Sequence, residues 1–167
     1  INTFVNLMFP AVVFGSVTGI LTAAVITLYK LCAKHVIAAS EAGYHFLREN
    51  LLCVIPVLAV LLGVAFLFAH IYRRVPNLKG GGIPTSIGML RGILPCHWLS
   101  NLVGLFFLSL TSFLIGVPLG NEGPSVQMGT AIGKGSVSPM AKKHRAWKRY
   151  SMTGGACAGF SIATGAP

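Results

Sequence analysis

Residues 92–121 read GILPCHWLSNLVGLFFLSLTSFLIGVPLGN, thirty residues without a charged side chain. About 20 apolar residues suffice for a helix to cross a bilayer, so this stretch belongs in a membrane. It is not alone. Phe4 to Tyr29 holds twenty-six uncharged residues and lacks the basic start and cleavage site of a signal peptide, which makes it a retained helix. Leu51 to Tyr72 is charge-free up to Arg73-Arg74, and Tyr150 to Pro167, weaker and rich in Gly and Ala, makes a fourth segment. Between the first two, Leu31 to Asn50 carries Lys34, Glu41, Arg48 and Glu49 and predicts a polar connector with room for a short surface helix.

The composition agrees. Apolar residues make up 54% of the 167 and charged ones 10%, against roughly 25% charged in soluble domains. Thirteen Lys and Arg against three Glu leave a net charge of +10. A nucleic-acid binder of that charge would set its basic surface on a polar background, and this background is apolar, so no nucleic-acid partner is expected. Cys32, Cys53, Cys96 and Cys157 are singletons beside apolar runs, which excludes a disulfide scaffold. The five His (35, 45, 70, 97 and 144) are scattered along the chain, so neither a metal nor another cofactor is expected.

Basic residues in short loops mark the cytoplasmic side. Residues 73–91 carry Arg73, Arg74, Lys79 and Arg91, and residues 134–149 carry Lys134, Lys142, Lys143, Arg145, Lys148 and Arg149, with no acid in either. Both are therefore placed in the cytoplasm, against a first connector with Lys30, Lys34 and Arg48. The chain must then cross and return between 91 and 134. One helix from 92 to about 118 makes the crossing. Residues 121–133 are too few to return at about 1.5 Å each, so they predict a short helix that starts part-way through the membrane. Such a break is tolerated where it lines a cavity or is buried in protein.

At that break stands Gly120-Asn121-Glu122-Gly123-Pro124-Ser125-Val126-Gln127-Met128-Gly129. Pro124 suits a helix's first turn, where its missing N–H has no partner to lose. The free N–H groups and positive dipole end of the helix start form an anion-binding device, and broken helices present it to anionic substrates in transporters. Glu122 is the only acid after residue 49, and an ionisable group at membrane depth is functional by default. Its carboxylate can occupy the anion site itself and leave on protonation. The other reading is an N-terminal helix cap at the interface. A second break, Lys79-Gly80-Gly81-Gly82-Ile83-Pro84, puts successive Gly N–H groups ahead of a helix start, an arrangement able to nest an anion. Taken alone it is equally a flexible cytoplasmic loop.

GNEGPSVQMG resembles the GREGP-type signature of the CLC chloride channels and proton/chloride antiporters. KGGGIP is similar to that family's GSGIP element, about forty residues upstream, and GGACAGFSIATGAP to its following small-residue helix. The resemblance covers roughly residues 10–167. It implies an all-α polytopic membrane protein built from inverted repeats of broken and re-entrant helices, with one anion pore per subunit of a homodimer. It implies Glu122 as gate and proton-transfer residue. The anion would be held along Gly80, Gly81, Gly82, Ile83 and Pro84, and along Gly120, Asn121, Glu122, Gly123 and Pro124.

The chain departs from the pattern in three places. The family's serine is Gly81 here, so coordination would rest on backbone N–H. The family's arginine before the glutamate is Asn121, one positive charge fewer at the outer mouth. The chain stops at Pro167, so residues 1–167 are expected to be the first repeat of a transmembrane anion-transport domain. The family's internal proton-relay glutamate, pore tyrosine and third filter stretch would lie beyond.

Three further features carry less. Residues 129–136 have the outline of a P-loop, but with three residues between the glycines and Gly after Lys134, which rejects it. Lys142 to Arg149, with Trp147 and Tyr150, is a topology signal or a grip on anionic lipid. Gly15/Gly19, Gly116/Gly120 and Gly155/Gly159 have helix-packing spacing. The expected function is transport of chloride or a similar small anion coupled to proton counter-movement, in a multi-pass protein of the cell membrane. A channel gated by voltage or pH, or a non-conducting subunit or remnant, are the alternatives. No second acid, Ser-His pair or metal cluster accompanies Glu122, so an enzyme is not expected.

Overall fold

A computed structural model describes residues 2–79, 81–117, 120–137 and 145–166. The described order is α1 (Asn2–Glu49), a 3-10 turn (Leu51–Cys53), α2 (Val54–Arg74), a 3-10 turn (Pro76–Leu78), α3 (Gly82–Leu90), α4 (Trp98–Leu114), α5 (Glu122–Val137) and α6 (Arg145–Thr164). Among these residues there is no strand, and the all-α expectation holds. Ala11–Glu49 and α2 are long and apolar enough to cross a membrane, and α4 is a shorter apolar helix.

The connector expected at Leu31 to Asn50 is instead the second half of α1, a helix of 48 residues. At about 1.5 Å per residue it is about 70 Å long, over twice the hydrocarbon thickness. No proline follows Pro10 before Pro56, and Leu, Ala, Lys and Glu are strong helix formers. Charge therefore did not mark a helix end, and Lys30 and Lys34 are helical rather than loop residues. One stripe of α1 is buried: Thr18, Thr22, Ile26, Tyr29, Ala33 and Ser40, spaced by three or four residues or a multiple.

The helix expected from 92 to about 118 is trimmed at both ends to Trp98–Leu114. Gly92, at φ +77, turns the chain after α3, and Pro95 keeps its predecessor out of helix. At the other end Gly116 takes φ +83, and Gly116 and Val117 donate to the carbonyls of Phe113 and Ser112. The return helix α5 starts where expected but runs on to Val137, about 24 Å in all.

Helix α5 is the centre of the fold. Ser125 to Gly133 and Val137 are buried, and α6, α4, α1 and α3 all pack on it. Its largest interface is with α6, where the backbones touch. A methyl on Gly129 would lie 2.0 Å from the Gly155 carbonyl oxygen, one on Gly155 2.1 Å from that of Gly129, and one on Gly159 2.4 Å from that of Ser125. The Gly155/Gly159 spacing is thus a packing contact. Gly116/Gly120 is not: Gly116 packs on the Tyr44 ring and Gly120 meets nothing within 4 Å. A methyl on Gly19 would also meet nothing, while Gly15 lies 3.8 Å from one added to Gly154.

Polar groups finish the junction. The hydroxyls of Thr18 and Ser151 share a hydrogen bond of 2.7 Å, Thr18 and Ser136 one of 3.0 Å, and Ser151 donates to the Gly133 carbonyl at 2.8 Å. Lys30 Nζ donates to the Ile162 carbonyl at 2.8 Å, a cation at the negative end of α6. Lys134 Nζ donates to the Cys96 carbonyl at 2.5 Å. Of the basic cluster, Lys148 and Arg149 belong to α6, and Lys142 and Lys143 lie outside the described residues. Helix α2 has no buried residue. Ile55 and Phe66 are 76% and 84% exposed, a surface suited to hydrocarbon.

Candidate functional site

Forty residues separate Gly82 from Glu122, yet α3 and α5 start side by side. A methyl on Gly82 would sit 2.1 Å from the Gly123 carbonyl oxygen, so only glycine lets the backbones meet. Gly81 precedes α3 at φ +76, a left-handed conformation that costs glycine nothing. The two starts match: Gly82-Ile83-Pro84 opens one helix and Glu122-Gly123-Pro124 the other. Thr85 N–H donates to the Gly81 carbonyl at 3.0 Å and Ser125 N–H to that of Asn121 at 3.2 Å. Ahead of these, first-turn N–H groups have no partner within their helices. Two positive dipole ends therefore share one place.

They open on a pocket of about 570 Å³. Gly81, Gly82, Ile83, Pro84, Gly120, Glu122, Gly123 and Pro124 line it, so eight of the ten residues named from sequence are brought together. Gly80 lies outside the described residues. Asn121 lines a neighbouring cavity of about 770 Å³ with Glu41, His45 and Arg48 of α1, and its Oδ1 is buried without a partner. Tyr44 closes that cavity's wall by donating its hydroxyl to the Ile115 carbonyl. Gly120 belongs to both cavities.

Seven pocket residues were not among the site residues named from sequence, four of them polar. Lys79 brings a positive charge to the pocket that Glu122 also lines. Tyr72 and Ser109 line the wall, and the Ser109 hydroxyl donates to the Leu105 carbonyl at 2.5 Å. Gln127 is 1% exposed, and its Nε2 donates to the Asn77 carbonyl at 2.7 Å. A lone amide inside the apolar half of the quoted signature was the available signal for Gln127. Tyr72 and Ser109 gave none, because each lies in an apolar helix and meets the pocket only through the packing of α2 and α4 around it. The pocket thus combines N–H donors, a carboxylate, an ammonium and an apolar wall of Leu78, Leu105 and Leu108. That set can hold a small desolvated anion and let a carboxylate compete with it.

A family model described as voltage gated chloride channel matches residues 63–167. The chain is 30% identical, over its whole length, to the H(+)/Cl(-) exchange transporter ClcA of Vibrio parahaemolyticus, of which it covers 37%. It is 30% identical over 95% of its length to ClcA of Vibrio cholerae, covering 34% of that protein. With ClcA of Salmonella schwarzengrund it shares 28% over 99% of its length, covering 35%. The chain thus spans about a third of the curated relatives it matches. No solved structure matches it significantly.

Proposed function

Because the chain belongs to the voltage-gated chloride channel family, the CLC channels and proton/chloride antiporters, we propose that it carries part of the anion path of a proton-coupled chloride exchanger in a membrane. The observation that carries the reading is the meeting of two helix N-termini and Glu122 on one pocket. Dipole ends and first-turn N–H groups offer a site for negative charge, and the Lys79 ammonium on the pocket lining adds to it.

Chloride and the ionised Glu122 carboxylate compete for these donors. With Glu122 ionised, its carboxylate takes the N–H groups and blocks the path. A proton on the carboxylate removes its charge, the side chain leaves, and the anion takes the donors. When the proton departs, the carboxylate returns and displaces the anion. Each proton taken up is thereby linked to anion exchange. That these relatives are named as H(+)/Cl(-) exchange transporters supports the exchange reading over a passive channel.

The full protein is proposed to be a multi-pass protein of the cell membrane and a homodimer, each subunit holding its own path. Radiolabelled chloride uptake into liposomes containing the full-length protein tests the transport reading. Uptake above protein-free liposomes supports it, and equal uptake contradicts it.

A further inference from the structure

Two of the contacts between the first break and α5 sit one helical turn apart. At Gly82 the contact is backbone on backbone with Gly123. The other is the hydrogen bond of 2.7 Å from Gln127 Nε2 to the Asn77 carbonyl. The amide's orientation is fixed by chemistry, since a carbonyl can only accept and the nitrogen must face it. Asn77 is anchored in turn: its Nδ2 donates to the Pro95 carbonyl at 2.6 Å. The turn Pro76–Leu78 is thus tied to the 91–97 segment on one side and to α5 on the other. Lys79 and Gly81 lie between the two contacts and line the pocket. Gly81 contributes no side chain that could adjust to an anion, so the spacing of the two backbones determines the space available.

We propose that Gln127 is a positioning residue that sets which size of anion the pocket accepts, by fixing the backbone of Lys79, Gly81 and Gly82 at its distance from α5. This rests on the anion-path reading above. Without the Nε2–H donor the Asn77 carbonyl loses its partner on α5, the turn relaxes outward, and larger anions gain over smaller ones.

The test is anion selectivity of the full-length protein in liposomes, as fluoride, chloride and thiocyanate flux under equal gradients. Gln127→Met keeps the length of the side chain and removes the donor. Asn77→Ala keeps the backbone acceptor and removes the tie to Pro95. Both are expected to raise the thiocyanate-to-chloride ratio and lower the fluoride-to-chloride ratio. For Gln127→Met the shift should be roughly threefold to tenfold, the scale of one neutral hydrogen bond, and smaller for Asn77→Ala. A merely structural role would lower the yield of folded protein and leave the ratios unchanged, which overturns the proposal. If Gln127→Met does not fold, Asn77→Ala decides on the same ratios. A wild-type protein that moves no anion overturns the transport reading together with this one; wild-type transport with unchanged ratios in the variants overturns this one alone.

Discussion

Gly82 and Gly123 are in backbone contact, and the contact is one-sided. A methyl on Gly82 would lie 2.1 Å from the Gly123 carbonyl oxygen, whereas one on Gly123 would lie 3.7 Å from the Gly82 Cα, an ordinary contact.

The asymmetry predicts unequal mutants. Gly82→Ala must push two helix starts apart, neither of which is a flexible side chain, and should cost about 1–3 kcal/mol or more. Gly123→Ala should cost well under half of that. Thermal unfolding of the purified full-length protein in detergent measures the difference. Equal losses from the two variants would contradict the geometry.

Helix contacts between α5 and α6 give a second comparison. Gly129→Ala and Gly155→Ala each drive a methyl to within about 2 Å of the opposing carbonyl, and each should destabilise by several kcal/mol because the whole interface must separate. Gly43→Ala and Gly63→Ala, which meet nothing within 4 Å, should be neutral or stabilise by up to about 1 kcal/mol through helix propensity. Unfolding midpoints of the four variants check the ranking.

Lys30 is a third case. Lys30→Met removes the ammonium from the Ile162 carbonyl while keeping an apolar stem, and should cost about 1.5–3 kcal/mol, the range of a hydrogen bond to a charged group. Chloride-to-thiocyanate selectivity should not move, because Lys30 neither lines the anion pocket nor bonds to a residue that does. A selectivity change on Lys30→Met would show that α1 and the pocket are coupled.

What sequence could and could not reveal follows from how each feature is encoded. The two breaks were legible because their chemistry is local: glycines for close backbone approach, a proline in the first turn, and an acid where acids are costly. Eight of the ten residues named there share one pocket. Asn121 does not, because one residue's rotation at the start of α5 turns its side chain to the α1 side. The reach of α1 to Glu49 is illegible from charge density, because Lys34, Glu41, Arg48 and Glu49 sit exposed on a helix that good helix formers carry on. Thr18, Ser136 and Ser151 form one hydroxyl cluster across more than a hundred residues of chain, and no local pattern announces such a meeting. The Gln127–Asn77 bond was hidden for the same reason: its acceptor is a backbone carbonyl, which every residue has.

The central claim is that Glu122 competes with the anion and is released by a proton. The most direct test is proton movement driven by a chloride gradient in liposomes containing the full-length protein, with Glu122→Gln measured beside it. The account predicts that chloride drives protons in the wild type, and that the Gln variant, uncharged at every pH, passes chloride with no accompanying protons. Chloride flux without protons in the wild type, or proton coupling that survives Glu122→Gln, would contradict it.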